Sequence, residues 1–101
     1  MKKYHDSLIK ALKDPSEAAE YLNAALEEGD SQMFLVALRN VAEACGGMSQ
    51  LSKMTKLNRA NLYKIFSKKG NPEINTLTQI LEIFGLRLTV VAKSKKILRA
   101  A

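Results

Sequence analysis

The segment "NRANLYKIF", residues 58–66, contains four long side chains with hydrogen-bonding groups in a stretch of six residues. They are Arg59, Asn61, Tyr63 and Lys64, and apolar residues lie between them. In the major groove of DNA, Arg and Lys donate to O6 and N7 of guanine, while Asn bonds to N6 and N7 of adenine. These residue types therefore suit contacts with base edges. For so short a stretch taken alone, the solvated face of an ordinary amphipathic helix is the simpler explanation.

The surrounding pattern makes this segment the second of two short helices. Ser49 and Asn58 suit helix N-caps, and the turn "TKLN", residues 55–58, separates the helices as in a helix-turn-helix unit. In such a unit the start of the second helix enters the major groove, and the start of the first approaches a phosphate. The residues predicted to contact DNA are Ser49, Gln50, Asn58, Arg59, Ala60, Asn61, Tyr63, Lys64, Lys68 and Lys69.

Charge is divided unevenly along the chain of 101 residues, whose formal net charge is +6. Residues 1–48 contain five Lys or Arg and eight Asp or Glu, a net charge of −3. Residues 49–101 contain eleven Lys or Arg and two Glu, a net charge of +9. A basic half favours an anionic partner, nucleic acid before membrane. Together with the caps and the helix spacing, this charge favours DNA binding over a solvated helix.

The remaining elements predict a mainly α fold. Asp14, followed by Pro15, is the expected N-cap of a helix ending at Gly29, and Asp30 that of the next. Asn75 is the expected cap of a last helix that Gly85 ends, and weaker apolar periodicity predicts a short helix in the first dozen residues.

After residue 85 the apolar period changes to two in "LRLTVVA", residues 86–92, which predicts a β-strand. A single strand leaves its backbone groups unpaired, so we expect it to pair antiparallel with its copy in a homodimer. An extended segment packed on its own domain is the alternative. The residues predicted to form the dimer contact are Leu86, Leu88, Val90 and Val91.

The chain resembles a known family over nearly its whole length. The segments "AAEYLNAALEEGD", "ALRNVAEA", "NLYKIFSKKGNPEINTLTQIL" and "FGLRLTVV" resemble the HigA-like antitoxins of the probable addiction-module antidote family. The run from Met48 to Leu86 is similar to the lambda-repressor/Cro-like helix-turn-helix domain. This resemblance implies five to six helices plus the strand. It divides one structural domain into N-terminal helices at 1–47, a DNA-binding core at 48–85 and a strand with a basic tail at 86–101.

The resemblance also implies a function. The protein would be a dimeric antitoxin that binds and neutralises a RelE/HigB-like mRNA-cleaving toxin and represses its own operon on double-stranded operator DNA. The start of the recognition helix would fall on Asn58 to Asn61. Two residues depart from the family pattern, Ser52 where Ala is usual and Lys56 where the turn usually has Gly. A left-handed backbone at a non-glycine residue costs about 1–2 kcal/mol, so Lys56 is expected to be strained or the turn remodelled.

The acidic helix over residues 15–28 is the expected docking face for the toxin, because an RNA-cleaving protein needs a basic surface. An acidic face that only meets water is the alternative. The residues predicted to contact the toxin are Glu17, Glu20, Glu27 and Glu28.

Other functions find little support in the residues. His5 is the sole histidine and Cys45 the sole cysteine, so we expect no enzyme activity, no metal site and no cofactor. No apolar run approaches the roughly 20 residues that span a bilayer, and a cytoplasmic location is expected. The alternatives to an antitoxin are a stand-alone dimeric helix-turn-helix repressor without a toxin and a protein-interaction module that has lost DNA binding.

Overall fold

The computed structural model describes residues 2–67 and 69–93 and is mainly helical. Lys68, a predicted DNA contact, and residues 94–101 of the predicted basic tail lie outside the described residues. The described residues form six helices: α1 (Lys2–Ala11), α2 (Pro15–Glu27), α3 (Ser31–Ala44), α4 (Gly47–Thr55), α5 (Arg59–Ile65) and α6 (Ile74–Ile83).

The predicted caps of α2 and α3 are confirmed. The Asp14 carboxylate accepts the Ser16 amide at 3.0 Å, and the Asp30 carboxylate accepts the Gln32 amide at 2.9 Å. Each bond satisfies an N–H group that would otherwise have no partner in the first turn of the helix.

The predicted caps at Ser49 and Asn75 are wrong, because both residues lie inside their helices. Helix α4 begins at Gly47, after the N-cap Gly46 with a φ of 110°, and α6 begins after the N-cap Glu73. An N-cap needs a backbone that leads out of the helix. The Gly46–Gly47 pair and the extended Glu73 provide such a backbone earlier in the chain than Ser49 and Asn75, whose side chains are better caps.

A continuous hydrophobic core joins all six helices, from the partly buried Leu8 in α1 to Ile80 in α6. Helix α3 is central and packs on α1, α2 and α4, while α4 packs in turn on α5 and α6. The side chains most completely withdrawn from solvent are Leu38, Val41, Leu62, Phe66 and Ile80. The acidic helix α2 and the short helix α5 therefore lie at opposite ends of a series of packed helices.

The strand predicted over residues 86–92 does not form, and no strand occurs anywhere in the described ranges. Helix α6 ends in a Schellman motif in which Gly85 has a φ of 80° and the Leu86 amide donates to the Leu81 carbonyl at 2.8 Å. Beyond it, residues 86–92 have no neighbouring strand among the described residues with which to pair. An alternating sequence without such a neighbour cannot make a ladder. Val90 and Val91 are 96% and 82% exposed.

Candidate nucleic-acid interface

Residues 56–58 join α4 to α5 through a left-handed turn. Lys56 has φ 64° and ψ 12°, the one non-glycine residue with positive φ among those described. Of the two alternatives for this position, a strained Lys56 or a remodelled turn, the structure has the left-handed Lys56. The Lys56 amide donates to the Ser52 carbonyl at 2.9 Å, which closes the last turn of α4.

Two hydroxyl groups on α4 satisfy the backbone of this turn. The buried Thr55 hydroxyl donates to the Leu51 carbonyl at 2.8 Å and accepts the Leu57 amide at 3.2 Å. The Ser52 hydroxyl donates to the Leu57 carbonyl. Ser52 thus adds a bond that alanine could not make. Both polar backbone groups of Leu57 are paired, which fixes the direction in which α5 begins.

Helix α5 begins with a confirmed cap and presents its polar face to solvent. The Asn58 side-chain oxygen accepts the Asn61 amide at 2.7 Å. Leu62 and Phe66, 0% and 1% exposed, fix the opposite face in the core. The residues predicted to contact base edges, Asn58, Arg59, Ala60, Asn61, Tyr63 and Lys64, are all exposed.

The predicted phosphate-contacting residues also lie at the surface where they are described. Ser49 and Gln50 are exposed on the first turn of α4, and Lys69 is exposed in the loop after α5. That loop folds closely onto the end of α5, since a Cβ at Gly70 would lie 1.9 Å from the Ile65 carbonyl oxygen. Glycine therefore permits the close approach that places Lys69 beside α5.

Arg39 is a further basic residue of this surface that sequence reasoning did not find. Its guanidinium carbon lies 5.9 Å from the centroid of the Tyr63 ring, a cation–π distance between α3 and α5. The two side chains line a surface cleft of about 190 Å³ together with Glu43, Gly47 and Met48. Arg39 belongs to the acidic half of the sequence, and nothing local to it signals a meeting with Tyr63.

Glu43 lines the cleft with Arg39 and Tyr63, but among the described residues no acidic side chain lies within 4.0 Å of the cations of α5 or of Lys69. Among those residues, the one contact within 4.0 Å between a basic and an acidic side chain joins His5 Nε2 to Glu43 Oε2, at 3.2 Å. The cations of Arg59, Lys64 and Lys69 thus remain available to an external anion. A helix flanked by cations can bind the anionic backbone of a nucleic acid while its polar side chains meet the bases.

Comparison with known proteins identifies the family. A family model described as "Probable addiction module antidote protein" matches residues 3–92. The chain belongs to this family. A relative from Haemophilus influenzae, named only as an uncharacterized protein, is 33% identical over 79 residues, which are 78% of this chain and 80% of the relative. No solved structure is significantly similar to the chain.

Membership in the antidote family indicates a role in a toxin–antitoxin module, with a toxin as the partner. The side chains predicted to face that toxin lie on α2. Glu17, Glu20, Glu27 and Glu28 are all exposed. Helix α2 packs on α3, whereas α5 packs on α4. The acidic surface of this antidote protein is therefore on a different element from the basic residues of α5.

Three further observations concern other kinds of site in the antidote protein. Across residues 2–67 and 69–93, no three His, Cys, Asp or Glu side chains are grouped so that they could hold a metal ion. Within the same ranges, every helix is too short or too polar to cross a membrane. Partial burial raises the pKa of the Cys45 thiol, so this cysteine is largely in its neutral, less nucleophilic form at neutral pH.

Proposed function

We propose that this antidote protein is a DNA-binding antitoxin that represses its own operon and neutralises a RelE/HigB-like mRNA-cleaving toxin by direct binding. Helices α4 and α5 act as a helix-turn-helix unit. The observation that supports this function best is the exposed polar face of α5, held by the hydroxyl-bonded turn. Family membership supports the toxin.

On DNA, the start of α5 enters the major groove. Arg59 donates to guanine O6 and N7, and Asn61 bonds to adenine N6 and N7. The Asn61 side chain is free to do so because the bond to Asn58 involves its backbone amide. Lys69 and Arg39 contact the phosphates on either side of the groove, with the Tyr63 ring orienting the Arg39 guanidinium.

The operator-bound form is a homodimer in which Leu86, Leu88, Val90 and Val91 form the subunit contact. The high exposure of Val90 and Val91 supports this arrangement, because large apolar side chains gain most from burial by a partner. Two-fold symmetry would place the two α5 helices about 34–36 Å apart, one turn of DNA.

Toxin binding uses the acidic face of α2, through Glu17, Glu20, Glu27 and Glu28. A protein that cleaves mRNA must attract phosphates, and carboxylates compete for the same cations. DNA and toxin would then occupy different helices, so that one molecule binds both.

The experiment that tests this function has two parts. First, a mobility-shift assay measures binding of the purified protein to the DNA upstream of its own gene. Arg59→Ala should weaken binding by about 1–3 kcal/mol and relax selectivity at one base pair. Lys13→Ala is the matched control, because it removes an exposed cation outside the proposed DNA surface and should leave base selectivity unchanged.

Second, the protein is co-expressed with the product of the adjacent gene. Co-purification of the two proteins and restored growth are the expected results. If upstream DNA is bound but the adjacent product is neither toxic nor captured, the stand-alone repressor replaces the antitoxin. If neither DNA nor the adjacent product is bound, the proposed function fails.

A further inference from the structure

An apolar groove runs along the surface between α2 and α3. It has a volume of about 220 Å³, and its lining includes Tyr21, Ala25, Met33 and Val36. Met33 is 52% exposed and Val36 is 37% exposed, although both are large apolar residues on a helix that otherwise supplies much of the core. The groove is smaller than the roughly 300–1,000 Å³ typical of small-molecule sites, and it suits a protein side chain better.

The groove has a fixed shape on one side. The Tyr21 hydroxyl accepts a hydrogen bond from the Asn40 side-chain amide at 2.8 Å, which ties this groove-lining residue of α2 to α3. A tyrosine whose hydroxyl is already hydrogen-bonded loses little additional side-chain freedom when a partner covers it. Binding at this residue therefore costs little conformational entropy. Tyrosine at a preformed apolar surface is also common among residues that dominate protein interfaces.

One carboxylate lines this groove, and three more lie on the same side of α2. On a helix of 100° per residue, Glu17, Glu20, Glu27 and Glu28 fall on one side of the α2 stripe formed by Tyr21 and Ala25. Glu28 itself lines the groove. Residues 14–38 contain six Asp or Glu and no Lys or Arg, so no cation of this stretch offsets these carboxylates.

This charge decides between possible occupants. DNA and anionic lipid would be repelled. In a two-fold contact, a second copy of the chain would place the same uncompensated acidic surface against itself, which is unfavourable. A basic protein remains, and an mRNA-cleaving toxin must be basic where it holds RNA.

We infer that the α2–α3 groove is the docking site for the toxin, with the toxin's apolar side chains seated against Met33 and Val36 and its basic side chains facing the α2 carboxylates. The inference rests on the proposed function and deepens it. The apolar floor determines how long the complex lasts, whereas the α2 carboxylates determine how fast it forms. Since those carboxylates occupy RNA-binding cations, docking also blocks the toxin's substrate.

The test measures binding of the purified adjacent-gene product to the full-length protein by surface plasmon resonance. Met33→Lys is expected to weaken binding at least about 30-fold, mainly through faster dissociation, as for other residues central to an interface. Glu27→Lys is expected to slow association and to flatten its dependence on salt, with a smaller effect on dissociation.

Leu26→Lys is the matched control. Leu26 is 50% exposed, close to the 52% of Met33, and the substitution introduces the same charge. It lines a different cleft, formed by α2, Phe34, the end of α6 and residues 85–89. Leu26→Lys should therefore leave toxin affinity within about threefold, since exposed substitutions outside the α2–α3 groove should have small effects on binding there. Far-UV circular dichroism and thermal unfolding of all three variants report whether each is folded.

The possible outcomes distinguish failure of the docking-site inference from failure of the proposed antitoxin function. If wild type binds the adjacent-gene product and Met33→Lys binds equally well, the groove is not the docking site while the antitoxin function stands. Loss of binding with Leu26→Lys alone would move the site to the other cleft. If Met33→Lys instead converts a dimer to a monomer in light scattering, the groove is a self-association surface and the inference is overturned. If wild type does not bind the adjacent-gene product, the antitoxin function fails and the inference fails with it.

Discussion

Replacing Lys56 with glycine should stabilise the protein. Lys56 is an exposed residue in the turn before α5, and its φ of 64° lies where a Cβ crowds the following carbonyl. The backbone conformation is imposed by the turn, whose Leu57 groups are fixed by Thr55 and Ser52. Glycine adopts the same conformation without the steric penalty.

Two opposing terms set the size of this effect. Removing the left-handed penalty gains about 1–2 kcal/mol. The added freedom of glycine in the unfolded chain costs about 0.4–1 kcal/mol, which leaves a net gain of about 0–1.6 kcal/mol with a midpoint of about 0.8 kcal/mol. For a domain of this size, the midpoint gain raises Tm by about 3–6 °C.

Thermal unfolding followed by circular dichroism measures this shift. Lys56→Ala is the control, because it removes the same charge and side chain but keeps the Cβ, and it should give no stabilisation. Lys56→Asn should fall between the two, since asparagine tolerates the left-handed region. Equal Tm values for the glycine and alanine variants would refute a left-handed Lys56 and, with it, the turn that directs α5.

Three other predictions concern neighbouring features. Thr55→Val should lower the free energy of unfolding in urea by about 1–3 kcal/mol, because the Leu57 amide loses its acceptor; an unchanged midpoint would contradict this role. Arg39→Ala should weaken binding to all DNA sequences alike and reduce the slope of log K against log salt by about one; a slope equal to that of wild type would place Arg39 off the DNA. Since burial raises the pKa of Cys45, its alkylation by iodoacetamide at pH 8 should be slower in the folded protein than in urea, and the rate should rise as pH approaches that raised pKa; equal rates in the two states would exclude the protection.

Patterns that depend on neighbouring residues predicted three of the five helix caps, and failed at Ser49 and Asn75. The caps at Asp14, Asp30 and Asn58 depend on side chains reaching amides two or three residues away, and all three form. At Lys56 the helix-turn-helix pattern left a strained lysine and a remodelled turn as alternatives, and the structure has the left-handed lysine.

Features that depend on distant contacts were not predictable in this way. The chain direction that the Gly46–Gly47 pair allows sets the start of α4 and places Ser49 in the third position of that helix. The pairing of Arg39 with Tyr63 and the groove exposing Met33 both follow from how the helices pack, which periodicity does not encode. A strand needs a partner strand, and an alternating sequence does not show whether a partner is present.

The proposed DNA surface on α5 is tested most directly by NMR titration of the isotope-labelled protein with its upstream DNA. The largest shifts in amide signals should fall at residues 47–50 and 59–64, and the Asn61 side-chain amide should shift with the specific duplex but not with a scrambled one. Amides of α2 that lie away from α5 should keep their positions. Shifts confined to α2 and α3, or equal shifts with both duplexes, would contradict base recognition by α5.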